Sequence, residues 1–189
     1  MTVVAHPLIV KTFAPVPTVP AFQTLAWPDE AATQAFAGQL AHALMALPGA
    51  RDALIELRGD LGAGKTTLAR HLLQALGVQG RIKSPTYAVV ESYTLQTSNV
   101  QPSLHIWHIW HCDFYRFNDP HEWEEAGFRD IFASPGLKLV EWADKAHGYL
   151  PQPDVVVALD VHINDNRSVR LTACTPVGEA LLALLAACT

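Results

Sequence analysis

Eight residues set the strongest limit on what this chain can fold into. Gly59-Asp60-Leu61-Gly62-Ala63-Gly64-Lys65-Thr66 fits G-x-x-x-x-G-K-[ST], a loop that binds phosphate only when a buried strand leads into it and a helix leads out. Both flanks are present. Residues 53–57 (ALIEL) read as a short hydrophobic strand, and residues 65–76 as a helix closed by Gly77 at the C′ position. The glycines allow a tight turn whose exposed N–H groups form an anion nest, and the helix start adds its positive end. Lys65 is then expected to reach the β and γ phosphates of a nucleotide, and the Thr66 hydroxyl to ligate Mg²⁺. The candidate phosphate cradle runs Gly59, Asp60, Leu61, Gly62, Ala63, Gly64, Lys65, Thr66 and Thr67. The bland alternative is a glycine turn with an incidental lysine, and the strand-loop-helix context argues against it.

A chain of 189 residues has the length of one domain. With 50% apolar and only 16% charged residues it can fill a core, which excludes long disorder for its body. Residues 1–20 contain Pro7, Pro15, Pro17 and Pro20 and no periodicity, and are expected to be an extended arm ahead of a domain over residues 21–189. Residues 22–27 suggest a strand. Ala32, Phe36, Leu40, Ala43, Leu44 and Leu47 form the stripe of a helix that ends at Pro48-Gly49. Residues 87–95 and 104–114 read as strands, 121–132 as a helix, 137–142 as a buried strand, and 155–161 and 168–173 as two more strands around Asn164, Asp165 and Asn166. Thr175 and Pro176 suit the N-cap and N1 positions of a last helix. The pattern predicts an α/β fold: a single three-layer P-loop domain with a mainly parallel sheet and antiparallel C-terminal strands.

A net charge of −5 excludes a broad basic surface for nucleic acid. Charge is nonetheless uneven. Residues 58–83 hold five Lys or Arg against Asp60 alone, while residues 118–130 hold Asp119, Glu122, Glu124, Glu125 and Asp130 against Arg129, so one basic and one acidic face is a fair expectation against an ordinary solvated surface. Asp60 itself must point away from phosphate or lie beside a cation, since two like charges at 4 Å repel by about 4 kcal/mol at an effective dielectric of 20. No apolar run reaches the roughly 20 residues of a membrane span. Cys112, Cys174 and Cys188 form no C-x-x-C pair, which suits a reducing, cytoplasmic setting.

A nucleoside triphosphatase also needs an acid at a strand end to hold magnesium. Asp113, Glu141 and Asp160 qualify. Asp160 is expected in the antiparallel extension, away from the phosphate side. Of the other two, Asp113 is the better magnesium residue and Glu141 the better base or water-positioning group, with a loop-capping carboxylate as the alternative for each. His105, His108 and His111 do not read as a metal site: on a strand His108 faces away from the other two, which lie roughly 20 Å apart. Surface or edge histidines are expected instead. Cys112 is read as a small apolar residue rather than a nucleophile.

The combination of GDLGAGKTT (59–67), VQGRIKSPTY (78–87), HCDFYRF (111–117) and LVEWADK (139–145), in this order and in so short a chain, resembles the bacterial TsaE (YjeE) family of tRNA threonylcarbamoyladenosine biosynthesis. The likeness runs from about residue 22 to the end. It implies a single P-loop α/β domain with ATP and Mg²⁺ as cofactors. Ser84, Pro85 and Thr86 match the family's switch-like S-P-T loop, Asp113 its magnesium-associated aspartate, Tyr115 and Arg116 its D-x-Y-R, and Glu141 with Trp142 its V-E-W; for Trp142, core packing is expected rather than nucleotide contact. The implied activity is slow ATP hydrolysis in support of the TsaB–TsaD pair, which transfers threonylcarbamoyl to the adenosine 3′ of the anticodon, with tRNA contacted only indirectly. Two other classes compete: a small P-loop metabolite kinase, which would add an Arg-rich lid that this sequence lacks, and a nucleotide-gated binding module with residues 84–86 as its switch. No N-K-x-D occurs, so ATP is favoured over GTP.

Overall fold

A computed structural model describes residues 22–96, 106–117, 123, 127–146, 148–163 and 166–187. Seven strands, β1 (Phe22–Trp27), β2 (Leu54–Arg58), β3 (Val90–Gln96), β4 (Ile106–Asp113), β5 (Leu137–Glu141), β6 (Val155–Val161) and β7 (Arg167–Ala173), form one sheet in the order β1-β7-β6-β2-β5-β4-β3. The helices are α1 (Glu30–Ala46), α2 (Lys65–Ala75), α3 (Phe128–Ala133) and α4 (Pro176–Ala187). Strands β4, β5, β2 and β6 run parallel, while β7 returns antiparallel to β6 and β1 antiparallel to β7. The expected α/β sheet is therefore present, with an antiparallel strand β3 at the far edge as well.

Alternation along the strands sorts the core into two layers. Ile55, Leu57, Leu137, Leu139, Val157 and Leu159 face Phe36, Leu40, Leu44, Leu68 and Leu72 of α1 and α2 and Leu181 and Leu185 of α4. Leu54, Cys112 and Val140 face the other way, into an aromatic cluster in which Phe114 meets Phe117, Trp123 and Phe128 at ring distances of 4.9, 5.5 and 5.4 Å. Cys112 is wholly buried there, and burial pushes its thiol pKa up, which agrees with an inert apolar role.

Three expectations change. The helix foreseen over 121–132 is not continuous: Trp123 is helical, but Gly127 at φ +73° separates it from α3, a value that a helix interior does not hold. The strand foreseen from residue 87 begins at Val90, since Val89 turns back to donate to the Pro85 carbonyl at 2.6 Å. Asp160 lies on β6, which is parallel to β2 rather than part of the antiparallel return, so its strand end is on the phosphate-loop side. The arm foreseen over 1–20 and most of the acidic segment lie outside the described residues.

Asp154 ties the start of the sheet to the last helix. Its carboxylate accepts from the Leu54 N–H at 2.9 Å and from the Thr175 hydroxyl; Thr175 Oγ1 in turn caps α4 by accepting from the Gly178 N–H at 3.2 Å. Gly178 is needed because a Cβ there would lie 1.9 Å from the Asp154 carbonyl oxygen. Bonds to a charged acceptor contribute about 1.5–3 kcal/mol each. Asp154→Ala should therefore lower unfolding free energy by about 3 kcal/mol, with Asp154→Asn recovering part of it, as read from urea denaturation midpoints.

Candidate functional site

The glycine-rich loop joins the end of β2 to α2, as its sequence requires. Gly59 approaches β6 so closely that a Cβ would sit 2.4 Å from the Leu159 carbonyl oxygen, and Gly64 takes φ +104° to start α2. Lys65 is 4% exposed and folds over the loop, its Nζ donating to the Gly59 carbonyl at 2.6 Å and the Asp60 carbonyl at 2.8 Å. Burial lowers its pKa, while the carboxylates of Glu141, Asp113, Asp60 and Asp144 pull it back up. Asp60 thus lies beside a cation, its carboxylate acting on Lys65 while its carbonyl accepts from it. The indole of Trp142, with its centroid 4.1 Å from Lys65 Nζ, closes this corner.

Strands β4 and β5 run parallel with Asp113 opposite Glu141, so both carboxylates sit at the C-terminal ends of their strands, beside the loop. Glu141 is 2% exposed; its Oε2 accepts from the Thr66 hydroxyl at 2.8 Å and its Oε1 lies 2.8 Å from His111 Nε2. Asp113 has different partners. Its Oδ2 accepts from the Thr86 hydroxyl at 2.6 Å, its Oδ1 from the Tyr115 N–H at 2.9 Å, and Thr86 is 2.8 Å from the Ser84 hydroxyl. Gly62, Gly64, Lys65, Thr66, Thr67, Thr86, Asp113 and Glu141 line one cavity of about 230 Å³, with Leu61, Tyr115 and Trp142 at its rim. A larger cleft of about 710 Å³ lies at the opposite end of the strands, beside Arg51 and Trp107, and brings together no comparable set of charged groups.

Not every expected residue is in the cavity. Gly59, Asp60 and Ala63 lie outside its lining, Leu61 lines it while 76% exposed, and Ser84 reaches Asp113 only through Thr86. Trp142, expected in the core, is half-buried, packs 5.0 Å from Tyr115, and borders the cavity; its φ of +58° turns the chain sharply after Glu141. Arg116 stacks 4.3 Å over the exposed Tyr87 ring, placing it with the 84–87 turn. His111 corrects the expectation of surface or edge histidines: it is fully buried and bonded to Glu141, whereas His108 is exposed. Arg167 was not foreseen either. It reaches from β7 to donate to the Ala63 carbonyl at 3.0 Å.

These residues fit magnesium and a nucleotide. Magnesium takes one or two carboxylates together with substrate phosphates and water, and here two carboxylates and a threonine hydroxyl converge beside a glycine loop that starts a helix. Among the described residues no three His, Cys, Asp or Glu side chains form a cage of their own, and no helix is long and apolar enough to cross a membrane.

Comparison with known proteins agrees with this geometry. Residues 27–170 match the family model described as threonylcarbamoyl adenosine biosynthesis protein TsaE. A relative from Haemophilus influenzae, named tRNA threonylcarbamoyladenosine biosynthesis protein TsaE, is 40% identical over 155 residues, covering 82% of this chain and 92% of its own. A Bacillus subtilis protein of the same name is 34% identical over 120 residues, covering 64% and 69%. The crystal structure of Bacillus subtilis YdiB superposes with a TM-score of 0.67 at 25% identity, over 88% of this chain and 95% of that one. With a P-loop α/β fold and a family match across three quarters of its length, the chain belongs to the TsaE family.

Proposed function

We propose that this chain is a magnesium-dependent ATPase that serves tRNA threonylcarbamoyladenosine formation in the cytoplasm, working with a TsaB–TsaD pair that itself holds the tRNA. The observation that carries the reading is the meeting of Lys65, the Thr66–Glu141 pair and the Thr86–Asp113 pair around one cavity at the ends of parallel strands. The loop amides and Lys65 bind the phosphates. Thr66, with Glu141 and Asp113, would hold magnesium, which would supply positive charge to offset that of the bound phosphates.

The two carboxylates divide the work according to their partners. Glu141, joined to Thr66 at the helix start, orients water at the phosphate side; Asp113, joined to Thr86, links that side to the 84–86 turn. A change in what Asp113 contacts therefore reaches the exposed turn and the Arg116–Tyr87 stack, where a partner protein can sense it. Slow hydrolysis by the chain alone follows if the charge developing at the γ phosphate is met by a partner's side chain. Arg81 and Lys83, the cations flanking the turn, are exposed. An acidic chain of net charge −5 suits indirect contact with tRNA.

Three outcomes are expected. ATP with Mg²⁺ at 100 times its dissociation constant should stabilise the wild-type fold by about 2.7 kcal/mol, seen as a raised melting temperature; Lys65→Ala should melt normally without nucleotide and lose that shift. Glu141→Gln should keep ATP binding within a few-fold and lose at least about 10²-fold in hydrolysis, measured in a single turnover; parallel loss of both would refute the division of roles. Mixed with TsaB–TsaD in a sedimentation assay, the chain should associate in a nucleotide-dependent manner, and identical association of wild type and Lys65→Ala would count against a nucleotide-governed partnership.

A further inference from the structure

A buried histidine stands behind the proposed site. His111 lies on β4 two residues before Asp113, so alternation puts both side chains on the same face of the sheet. It is 0% exposed, and Nε2 is 2.8 Å from Glu141 Oε1. An ionised carboxylate oxygen only accepts, so Nε2 carries the hydrogen and donates it. Nδ1 is buried with no partner among the described residues. A hydrogen there would be a buried donor left unpaired beside a sheet interior, which costs about 1–3 kcal/mol. The ring is therefore fixed as the Nε2–H tautomer, its bare nitrogen turned toward the core.

That bond decides where Glu141 points. The carboxylate sits at the last residue of β5, immediately before Trp142 at φ +58°, and its backbone neighbour across the ladder is Asp113, whose own carboxylate is engaged by Thr86 and the Tyr115 N–H. Among the described residues two side chains hold Glu141: Thr66 on Oε2 and His111 on Oε1. Thr66 is a weak guide, since its hydroxyl belongs to the phosphate loop's helix and is the group that the proposed metal would share. His111 is wholly buried and stands behind the cavity, whose lining does not include it. We infer that His111 is a positioning residue, which fixes Oε1 of Glu141 through its Nε2–H so that Oε2 faces Thr66 and the phosphate side. The inference rests on the reading of Glu141 as the water-orienting group. It also makes β4 a two-point ruler: residue 111 sets one carboxylate and residue 113 supplies the other.

Full-length wild type, His111→Gln, His111→Leu and Glu141→Gln test this. Glutamine can place an amide N–H near the same point; leucine fills the space and donates nothing. His111→Leu should lose at least tenfold in single-turnover ATP hydrolysis while its ATP dissociation constant moves less than threefold, and His111→Gln should recover most of the rate. In nucleotide-free wild type, long-range ¹H–¹⁵N spectra of the imidazoles should show residue 111 as the Nε2–H tautomer with slow solvent exchange, and its signals should shift in Glu141→Gln. Should His111→Leu hydrolyse ATP like wild type while Glu141→Gln fails, the positioning role is overturned and the site reading survives. If Glu141→Gln itself hydrolyses normally, the reading of Glu141 falls and this inference with it. If His111→Leu does not fold, the spectra decide: an Nδ1–H tautomer, or a ring that exchanges freely, overturns the proposal.

Discussion

The site depends on the parallel alignment of β2 with its two neighbours. Leu57 pairs in register with Glu141 on β5, and Arg58 with Ala158 on β6, so the chain leaves β2 with a carboxylate one step away on one side and a backbone carbonyl on the other. A loop of ordinary residues could not turn in that space: a Cβ at position 59 would overlap the Leu159 oxygen at 2.4 Å, far inside van der Waals contact. Gly59 thus serves the sheet as much as it serves a phosphate. Were β6 antiparallel to β2, its strand end and the hairpin that follows would lie at the other edge, and the loop would lose that wall.

Within this frame, charge is balanced over a short distance. Lys65, Glu141 and Asp113 are each less than 5% exposed, and a buried ion is tolerated only when paired or hydrogen-bonded. Each has its partners. Lys65 uses two loop carbonyls and the Trp142 face; Glu141 uses a threonine and a histidine; Asp113 uses a threonine and a backbone N–H. Desolvation lowers the lysine pKa, and four nearby carboxylates oppose it, so binding an anion here adds to an attraction the protein already needs for its own lysine. The carboxylates are tied to hydroxyls rather than to the lysine itself, which leaves Lys65 and the carboxylates separable in their response to a ligand.

Much of this was legible from local pattern. The stripe of α1, the strand-loop-helix of β2 and α2, the β6–β7 pair and the Thr175 cap of α4 are all short-range signals, and all four lie where the sequence placed them. What local pattern does not carry is strand direction and neighbour identity. Asp160 was assigned to the antiparallel return because it comes last of the three acids, yet the hairpin there makes its second strand antiparallel to its first and says nothing of how the first meets β2. His111 failed for a related reason: alternation correctly turned it away from His108, but the sequence does not show that β4 lies between β5 and β3 or that this side of it is covered. For Trp142 core packing was expected rather than nucleotide contact, and its ring does pack against the aromatic cluster; what the sequence does not announce is the left-handed backbone there, and the ring also lies over the lysine.

The same logic explains why the far hairpin belongs to the site although none of its residues lines the cavity. Arg167 opens β7, opposite Val161 at the end of β6, and its guanidinium crosses to the Ala63 carbonyl at 3.0 Å while lying 3.2 Å from where a Gly64 Cβ would be. The loop is therefore gripped at its first residue by the β6 backbone and near its last by a β7 side chain, and between those points its shape is not free. A lysine at 167 would present a single ammonium rather than the planar fork that meets a carbonyl edge-on, and a side chain at residue 64 would have to displace that fork in addition to adopting a φ of +104°. Glycine at 64 and arginine at 167 are thus two halves of one packing solution, set more than a hundred residues apart in the chain and brought together only because β6 runs parallel to β2.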